Sequence, residues 1–413
     1  MQKRQKPVLH SQRFLPNSRM HARGWMYVLL VVFAISGARA QTSRADSAVS
    51  YIARGKTWYD KGDVERAIAD FNLALTFDPR SAAAYCNRGL ARIAQQDISG
   101  AMADYDRAIE INPRLAEAYN NRALAWQNQG DLARSFADFD HALKLNSRFA
   151  AVWYNRGLAW QVTGNLDKAI SDYNHAIEIN SHYAEAYLNR GSARQAKGDI
   201  DGALSDLNQA VALFSKGTTI HPSAALAYNN RGVLRKAKKD LSGARADFDR
   251  AIALDPKLAV AYSNRGNIAL GQKELGQAST DFDRAIALDP RRAESYHNRG
   301  LARQRQNDLS AAIADYSQAI ALNPRLSEAY FNRGLIQYSL GDLGSATADF
   351  DRVIELNPRQ ADAYAARGLV WLLQGKEIEA ERDFEQCLKL NKDLKPLLNA
   401  RITEIKQRLT KKP

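Results

Sequence analysis

Arginine and aspartate recur along the chain in a pattern that could form paired charges. The arginines recur at one constant spacing, with a single longer step after Arg190, and an aspartate follows each of them at a fixed distance, as Asp70 follows Arg54. The arginines are Arg54, Arg88, Arg122, Arg156, Arg190, Arg231, Arg265, Arg299, Arg333 and Arg367, and the aspartates are Asp70, Asp104, Asp138, Asp172, Asp206, Asp247, Asp281, Asp315, Asp349 and Asp383. A guanidinium and a carboxylate can form two parallel hydrogen bonds. The equal numbers favour a structural Arg–Asp ladder over a groove of unpaired arginines that binds anions.

Asparagine precedes the arginine in eight consecutive copies of this pattern. These residues are Asn87, Asn121, Asn155, Asn189, Asn230, Asn264, Asn298 and Asn332. Inside a helix, asparagine costs roughly 0.5 kcal/mol relative to alanine, so eight copies need an explanation. A carboxamide both donates and accepts, and a row of carboxamides can bind the backbone of an extended peptide. The alternative is that asparagine was copied with the repeat and bonds to neighbouring backbone.

Histidines and cysteines do not form a catalytic or metal-binding pattern. Five histidines follow residue 40, namely His141, His175, His182, His221 and His297, and we expect them to be solvated. Eight repeats separate Cys86 from Cys387, so no disulfide is expected. The sequence has no HExxH, P-loop, GxSxG or dinucleotide-binding fingerprint. We therefore predict a protein that is not an enzyme and uses no cofactor, metal or small-molecule substrate.

Most of the net charge of +13 lies at the two ends of the chain. Residues 1–40 hold seven basic residues and no acid, and residues 395–413 hold six against Glu404. The body, residues 41–394, has 45 basic and 44 acidic residues and is close to neutral. A groove that follows a phosphate backbone needs clustered cations, so we expect no nucleic acid as partner.

The N-terminus has the layout of a secretory signal peptide. Basic residues precede the apolar run Trp25–Ile35, and Ala38–Ala40 follows as an A-x-A cleavage site. Residues 1–40 are therefore predicted to be a signal peptide or an uncleaved N-terminal anchor, with Met20 as an alternative start. The protein would be exported across the inner membrane, and be periplasmic, secreted or anchored. No other run approaches the ~18 residues of a spanning helix.

The constant spacing is that of a repeat of about 34 residues, which indicates a helix–turn–helix solenoid. Ten repeats begin at Ala48, Ala82, Ala116, Ala150, Ala184, Ala225, Ala259, Ala293, Ser327 and Ala361, and positions below are counted from these residues. Position 4 is aromatic in all ten, position 8 is Gly in nine, position 20 is Ala in nine and position 32 is Pro in six.

These positions have a common physical reading as parts of a packed helix pair. Small residues at positions 8, 20 and 27 would let the first helix (A) and the second (B) of each repeat approach closely, and aromatic residues at positions 4 and 24 would fill the space between repeats. A Gly–Asp step, as at Gly62–Asp63, would end helix A with a left-handed residue and cap helix B. Proline at position 32 would end helix B.

These features make the chain resemble the tetratricopeptide repeat (TPR) family over residues 48–394. The resemblance implies an all-α, right-handed superhelix, and we predict a C-terminal capping helix after it. It also implies that positions 2, 5, 6, 9 and 12 of helix A line a concave groove. The eight asparagines would lie there with Tyr154, Leu158, Phe331 and Tyr338, beside Leu188, Val233, Leu301 and Leu335. The cations that bind chaperone tails in other members are absent from positions 2 and 5.

The chain is predicted to divide as follows. Residues 41–47 are a linker, 48–224 hold repeats 1–5 with an insertion near 215–221, 225–394 hold repeats 6–10, and 395–413 form the capping helix and a basic tail. The spacing of Leu204, Leu207, Val211 and Phe214 predicts a helix that continues two turns beyond its counterparts, to Gly217. In the capping helix, Leu397, Leu398, Ile402, Ile405 and Leu409 form the apolar stripe.

The predicted function is non-catalytic binding of another protein, through an extended peptide or helix in the concave groove. One alternative is an accessory subunit that organises an envelope enzyme or secretion complex through its convex face. A third hypothesis is binding of an anionic polymer by the basic tail. A membrane is expected as partner only through an uncleaved N-terminal segment.

Overall fold

The computed structural model describes residues 46–216 and 221–410, and all regular secondary structure in them is helical. The predicted signal segment, residues 1–40, lies outside the described residues. The chain divides into two compact units, of which the first ends at Asn180 and the second begins at Ser181.

The first unit contains eight described helices. They are α1 (46–60), α2 (Val64–Phe77), α3 (Ala82–Ala94), α4 (Ile98–Ile111), α5 (Ala116–Asn128), α6 (Leu132–Leu145), α7 (Ala150–Val162) and α8 (Leu166–Ile179). The described part of the second unit contains α9 (Ala184–Ala196), α10 (Ile200–Phe214), α11 (Ala224–Ala237), α12 (Leu241–Leu254), α13 (Ala259–Gly271), α14 (Leu275–Leu288), α15 (Ala293–Arg305), α16 (Leu309–Leu322), α17 (Ser327–Leu340), α18 (Leu343–Leu356), α19 (Ala361–Leu373), α20 (Glu377–Leu390) and α21 (Lys395–Thr410). A short 3-10 turn, Lys392–Leu394, precedes α21.

Helices α1 to α20 form consecutive antiparallel pairs. Each odd-numbered helix is the A helix of a repeat and packs against the even-numbered B helix that follows it. Within each unit, a B helix also packs against the A helix of the next repeat, as α2 does on α3 and α14 on α15. The all-α class and the solenoid of helix–turn–helix repeats are thus confirmed.

The turn between the A and B helices has the same backbone in all ten repeats. The residue at position 15 has a positive φ throughout, as Gly62 does at +81°, although four repeats place Gln, Lys or Asn there. The next residue caps helix B, and the Asp63 carboxylate accepts from the Arg66 backbone N–H. The predicted roles of the Gly–Asp step, a left-handed C′ residue followed by an N-cap, are confirmed.

Close contact between the two helices of a repeat depends on the glycine at position 8. The aromatic ring at position 24 of helix B lies directly over it. A Cβ atom built on Gly300 would lie 2.7 Å from a ring carbon of Tyr316, a side chain that is fully buried. The ring also extends towards the next repeat, since Tyr316 shares a core with Ile336. The predicted use of small residues at position 8 and of aromatics between repeats is confirmed.

Two details of the described helices differ from the sequence-based expectation. Helix α10 ends at Phe214, one residue later than the other B helices, so the predicted two-turn extension is wrong. Leu207, Val211 and Phe214 are nevertheless buried, and the chain leaves the helix at Ser215. In α21, Leu398 and Ile405 are buried whereas Leu397 is 61% exposed, because the helix contacts α19 along a narrow stripe.

Filling the glycine site should destabilise a repeat. We expect Gly300→Leu to lower the free energy of unfolding by about 1–3 kcal/mol, because the side chain would overlap the Tyr316 ring. Leucine is chosen since Ala123 in the third repeat shows that a methyl group can be accommodated. Urea denaturation followed by circular dichroism measures the change. Gly276→Leu, where a Cβ has no neighbour within 4 Å, is the control and should leave the midpoint unchanged or raised. Equal midpoints for the two variants would contradict this account of the glycine.

Candidate functional site

Each repeat contains a buried carboxylate held by the arginine at position 7. In all ten repeats the guanidinium donates twice to the aspartate at position 23 of the same repeat. In the eighth repeat, Arg299 Nη2 lies 2.6 Å from Asp315 Oδ1 and Nε lies 3.0 Å from Oδ2. The carboxylates are 1–7% exposed. The predicted Arg–Asp ladder is therefore confirmed, and its pairs lie within repeats.

The same guanidinium also connects neighbouring repeats. In eight repeats its Nη1 donates to position 25 of the preceding repeat, as Arg299 does to Asp283 at 2.6 Å. The guanidinium carbon lies 4.7–5.8 Å above the ring at position 4 in all ten repeats. In four repeats a second arginine, such as Arg303, also donates to the buried carboxylate. Because the guanidinium groups are engaged in this way, the alternative of an anion-binding groove has no structural support.

The asparagines at position 6 bond mainly to neighbouring side chains, not to backbone. Asn121, Asn155, Asn230, Asn264, Asn298 and Asn332 each donate from Nδ2 to position 5 or 9 of the preceding repeat, at 2.9–3.5 Å. Asn87 alone among those with a described bond donates to the backbone, at Ala83 O. All eight asparagines are half-buried, including Asn189.

These bonds join into three similar chains, which we call the amide relays. In one, Asn155 donates to Asn120, Asn120 to Asn121, and Asn121 to the Cys86 sulfur. A second runs from Asn264 through Asn229 and Asn230 to Ser192. A third runs from Asn332 through His297 and Asn298 to Asn267. Sequence reasoning expected position 5 to line the groove but missed the relay members there, although the dipeptides Asn120–Asn121, Asn229–Asn230 and His297–Asn298 mark them.

Each relay begins at a carboxamide oxygen that accepts no hydrogen bond. The Oδ1 atoms of Asn155, Asn264 and Asn332 have no partner among the described residues. In Asn121, Asn230 and Asn298 the oxygen already accepts from the residue before it. The relay asparagines therefore differ in what they can offer a ligand, because three of the six at position 6 present a free acceptor.

His297 is half-buried and uncharged in its relay, which corrects the expectation that it is solvated. Its Nε2 accepts from Asn332 at 3.1 Å, and its Nδ1–H donates to Asn298 Oδ1 at 3.2 Å. Burial lowers the pKa of this imidazole, outweighing the Glu328 and Glu294 carboxylates that raise it. His141 and His175 are exposed, as expected; the His141 ring stacks on Tyr119, and the His175 ring packs at a tilt against Trp153.

The predicted apolar groove residues are half-buried rather than open. The Tyr154 ring packs against Tyr173 and the Phe331 ring against Phe350, both at 5.9 Å between centroids. Leu158 is half-buried on α7, and Tyr338 lies in the core cluster of Phe350. Desolvation raises the pKa of the Tyr338 hydroxyl. Of the nearby charges on α21, Arg401 lowers this pKa and Glu404 raises it. Tyr154 and Leu158 therefore lie on one unit, and Phe331 and Tyr338 on the other.

A pocket of about 250 Å³ lies between the last two A helices and α21. Positions 5 and 9 of α17, namely Phe331 and Leu335, form one wall, and Leu397 and Leu398 form another. Positions 2, 5, 6 and 9 of α19 complete it with Asp362, Ala365, Ala366 and Leu369. These positions thus lie on one side of an A helix, which we call its A face.

Models of a repeat family match most of the chain. Models described as "TPR repeat" match residues 55–96, 89–130 and 305–341. Models described as "Tetratricopeptide repeat" match 115–148, 150–183, 188–259, 259–292 and 327–360. They describe repeat units rather than an enzyme domain. No curated protein matches the chain significantly.

Several solved structures are similar to this chain. MamA is 26% identical over 39% of this chain and 95% of its own, with a TM-score of 0.38. YrrB, titled a TPR protein with an unusual peptide-binding site, is 22% identical over 47% and 97%, with a TM-score of 0.41. The Cut9–Hcn1 structure is 14% identical over 78% and 76%, with a TM-score of 0.50, and supports the fold alone.

The described residues contain neither a membrane-spanning helix nor a group of side chains placed to bind a metal ion. None of their helices has the length and apolar character that crossing a membrane requires. In the same part of the chain, no group of three His, Cys, Asp or Glu side chains is placed to hold a metal ion.

Removing one buried carboxylate should cost far more than removing an exposed one. We expect Asp315→Asn to lower the free energy of unfolding by about 3–5 kcal/mol, because the Arg299 and Arg303 guanidinium groups lose the buried negative charge and one of its two acceptor oxygens. Asp283→Asn removes a 55% exposed partner of the same Arg299 and should cost less than about 1 kcal/mol. Urea denaturation measures both, and similar losses would contradict the ladder as the dominant contact.

The third relay should make stability depend on pH. Because the pKa of His297 is lowered in the folded state, its contribution is complete above the unfolded pKa of about 6.5 and is lost as the pH falls below it. We expect His297→Asn to remove this loss, since Asn120 and Asn229 occupy the same position in the other relays. Thermal unfolding of both proteins across this pH range measures it. Parallel pH profiles would show that His297 does not titrate with folding.

Proposed function

Because this chain belongs to the tetratricopeptide repeat family, we propose that it is a non-catalytic scaffold that binds another protein through its A face. The ligand we propose is an extended peptide segment or a helix of that partner. The observation that carries the proposal is the carboxamide oxygen that has no partner among the described residues on Asn155 in the first unit and on Asn264 and Asn332 in the second. A peptide N–H is the natural donor for such an oxygen.

Apolar side chains on the same face support this choice. Leu158 and Phe331 are half-buried, and Leu226, at position 2 of the sixth repeat, is 44% exposed. An extended peptide presents backbone N–H groups and alternating side chains together, so it can bind to a polar row flanked by apolar residues.

We also propose that the protein acts outside the inner membrane. The basic segment, the apolar run Trp25–Ile35 and the A-x-A site at Ala38–Ala40 support export. The partner would then be an envelope or secreted protein, and the N-terminal segment would be a cleaved signal or an anchor.

A test of the A face must avoid confusing binding with folding. Substituting the asparagines would break the amide relays that join neighbouring repeats, so a loss of binding would be ambiguous. A photo-crosslinker introduced at single positions leaves the relays intact. Leu158 and Leu226 lie on A helices, whereas Ala253 and Ala287 are exposed at position 29 of B helices and serve as matched controls.

We expect p-benzoylphenylalanine at Leu158 or Leu226 of the full chain, expressed in its own host, to form a protein adduct on irradiation. The two B-helix positions should not form it. Western blotting detects the adduct, and mass spectrometry identifies the peptide attached. Adducts from Ala253 and Ala287 alone would overturn the proposal and favour an accessory subunit that binds partners through its B helices.

A further inference from the structure

The pocket beside α21 is apolar but has an acidic border. Phe331, Leu335 and Leu369 form its apolar floor, and Leu398, which is 4% exposed, closes one side. Asp362 lines the same pocket from position 2 of α19. Its carboxylate is exposed and has no hydrogen bond or ion pair within the described part of the chain.

Asp362 is the last of three acids at the same position in consecutive repeats. Glu294 and Glu328 occupy position 2 of α15 and α17, and both are exposed without a partner in the described residues. Both act electrostatically on His297 at position 5, which places them on the A face. The two preceding repeats carry Leu226 and Val260 at position 2, so the acidic row belongs to the last three repeats.

The arginine that lines the pocket and the position-7 arginines of the last three repeats each donate to a carboxylate. Arg401 of α21 lines the pocket, and its Nη1 donates to Glu404 at 3.1 Å. Glu404 also pairs with Arg408 at 2.8 Å. The position-7 arginines Arg299, Arg333 and Arg367 are held by their buried aspartates. A ligand that complements this surface must therefore bring positive charge of its own, together with an apolar side chain for the pocket.

We infer that the last three repeats and α21 bind an extended, basic segment of the partner protein. This inference rests on the proposed function and names the chemistry of the segment. One large apolar side chain would enter the pocket over Ala365 and Ala366, and lysine or arginine side chains would face Glu294, Glu328 and Asp362. The charge of this surface is thus opposite in sign to that of a groove that binds acidic chain ends.

The spacing of the basic residues follows from the repeat. Packed neighbouring helices lie about 8–10 Å apart. Three extended residues span about 10 Å. A basic residue at every third position therefore matches one acid per repeat, and the apolar residue lies between two of the basic ones.

The binding test uses three synthetic peptides and the full chain. The basic probe is a fluorescein-labelled nonapeptide of glycine and serine, with lysine at every third position and one leucine between the last two lysines. In the second probe glutamate replaces the lysines, and in the third alanine replaces the leucine. Fluorescence anisotropy at low and physiological salt measures Kd. We expect only the basic, leucine-containing probe to bind well, and salt to weaken it.

Two variants of the protein separate the charge from the pocket. We expect the triple variant Glu294→Gln, Glu328→Gln and Asp362→Asn to bind the basic probe about tenfold more weakly and with a smaller salt effect. Ala365→Phe should weaken binding similarly by filling the pocket. It should fold, because phenylalanine occupies the same position in the preceding repeat as Phe331. Glu117→Gln changes the equivalent acid of the third repeat and should leave Kd unchanged.

Three results would overturn the inference. They are binding of the acidic probe as tight as that of the basic one, unchanged affinity of both variants, or no binding of any probe to the wild-type protein. None of these removes the proposed function, because adducts from Leu158 or Leu226 would still locate a partner on the A face. Absence of those adducts, with specific binding of the basic probe, would confine recognition to the last three repeats.

Discussion

The contact on which the rest of the structure depends is the guanidinium at position 7. It donates two hydrogen bonds to a buried carboxylate of its own repeat and, in eight repeats, a third to the preceding repeat, while its face lies over an aromatic ring. A planar group with fixed donors can meet three such directions at once, whereas an ammonium or an aliphatic side chain cannot. The arginine thereby fixes helix A against helix B and each repeat against the one before it.

This arrangement explains why the small residues beside it are required. The Asp315 carboxylate is buried next to the Tyr316 ring, and that ring lies so close over Gly300 that a Cβ atom there would be 2.7 Å from a ring carbon. If the two helices were further apart, water could reach the Asp315 carboxylate, and its paired hydrogen bonds with Arg299 would be lost. Close packing at position 8 and the ion pair at positions 7 and 23 therefore stabilise each other, since a buried charge is tolerated only with its full set of partners.

The Arg–Asp ladder could be predicted from the sequence because the arginines and aspartates recur in equal numbers at one fixed separation. Arg299 and Asp315 belong to the same repeat, and their separation in sequence recurs in all ten repeats. The contact of Arg299 with Asp283 and the relay through His297 depend on how far one repeat is displaced from the next, which periodicity alone does not give. The end of α10 at Phe214 was missed for a related reason. The apolar spacing ends at Phe214, which is also the last residue of the helix, so it carried no information on the turns expected beyond it.

The amide relays determine which atoms of the asparagines remain available to a ligand. Their donors bond either to the preceding repeat or to the next residue of the same repeat, so the chain satisfies these groups and leaves oxygens without a partner at Asn155, Asn264 and Asn332. A surface that retains only acceptors selects for donors. The unpaired carboxylates of Glu294, Glu328 and Asp362 impose the same preference on the same face, because they too accept and carry negative charge. Both features of the second unit thus favour a ligand rich in N–H groups and positive charge, and they arise from different repeat positions.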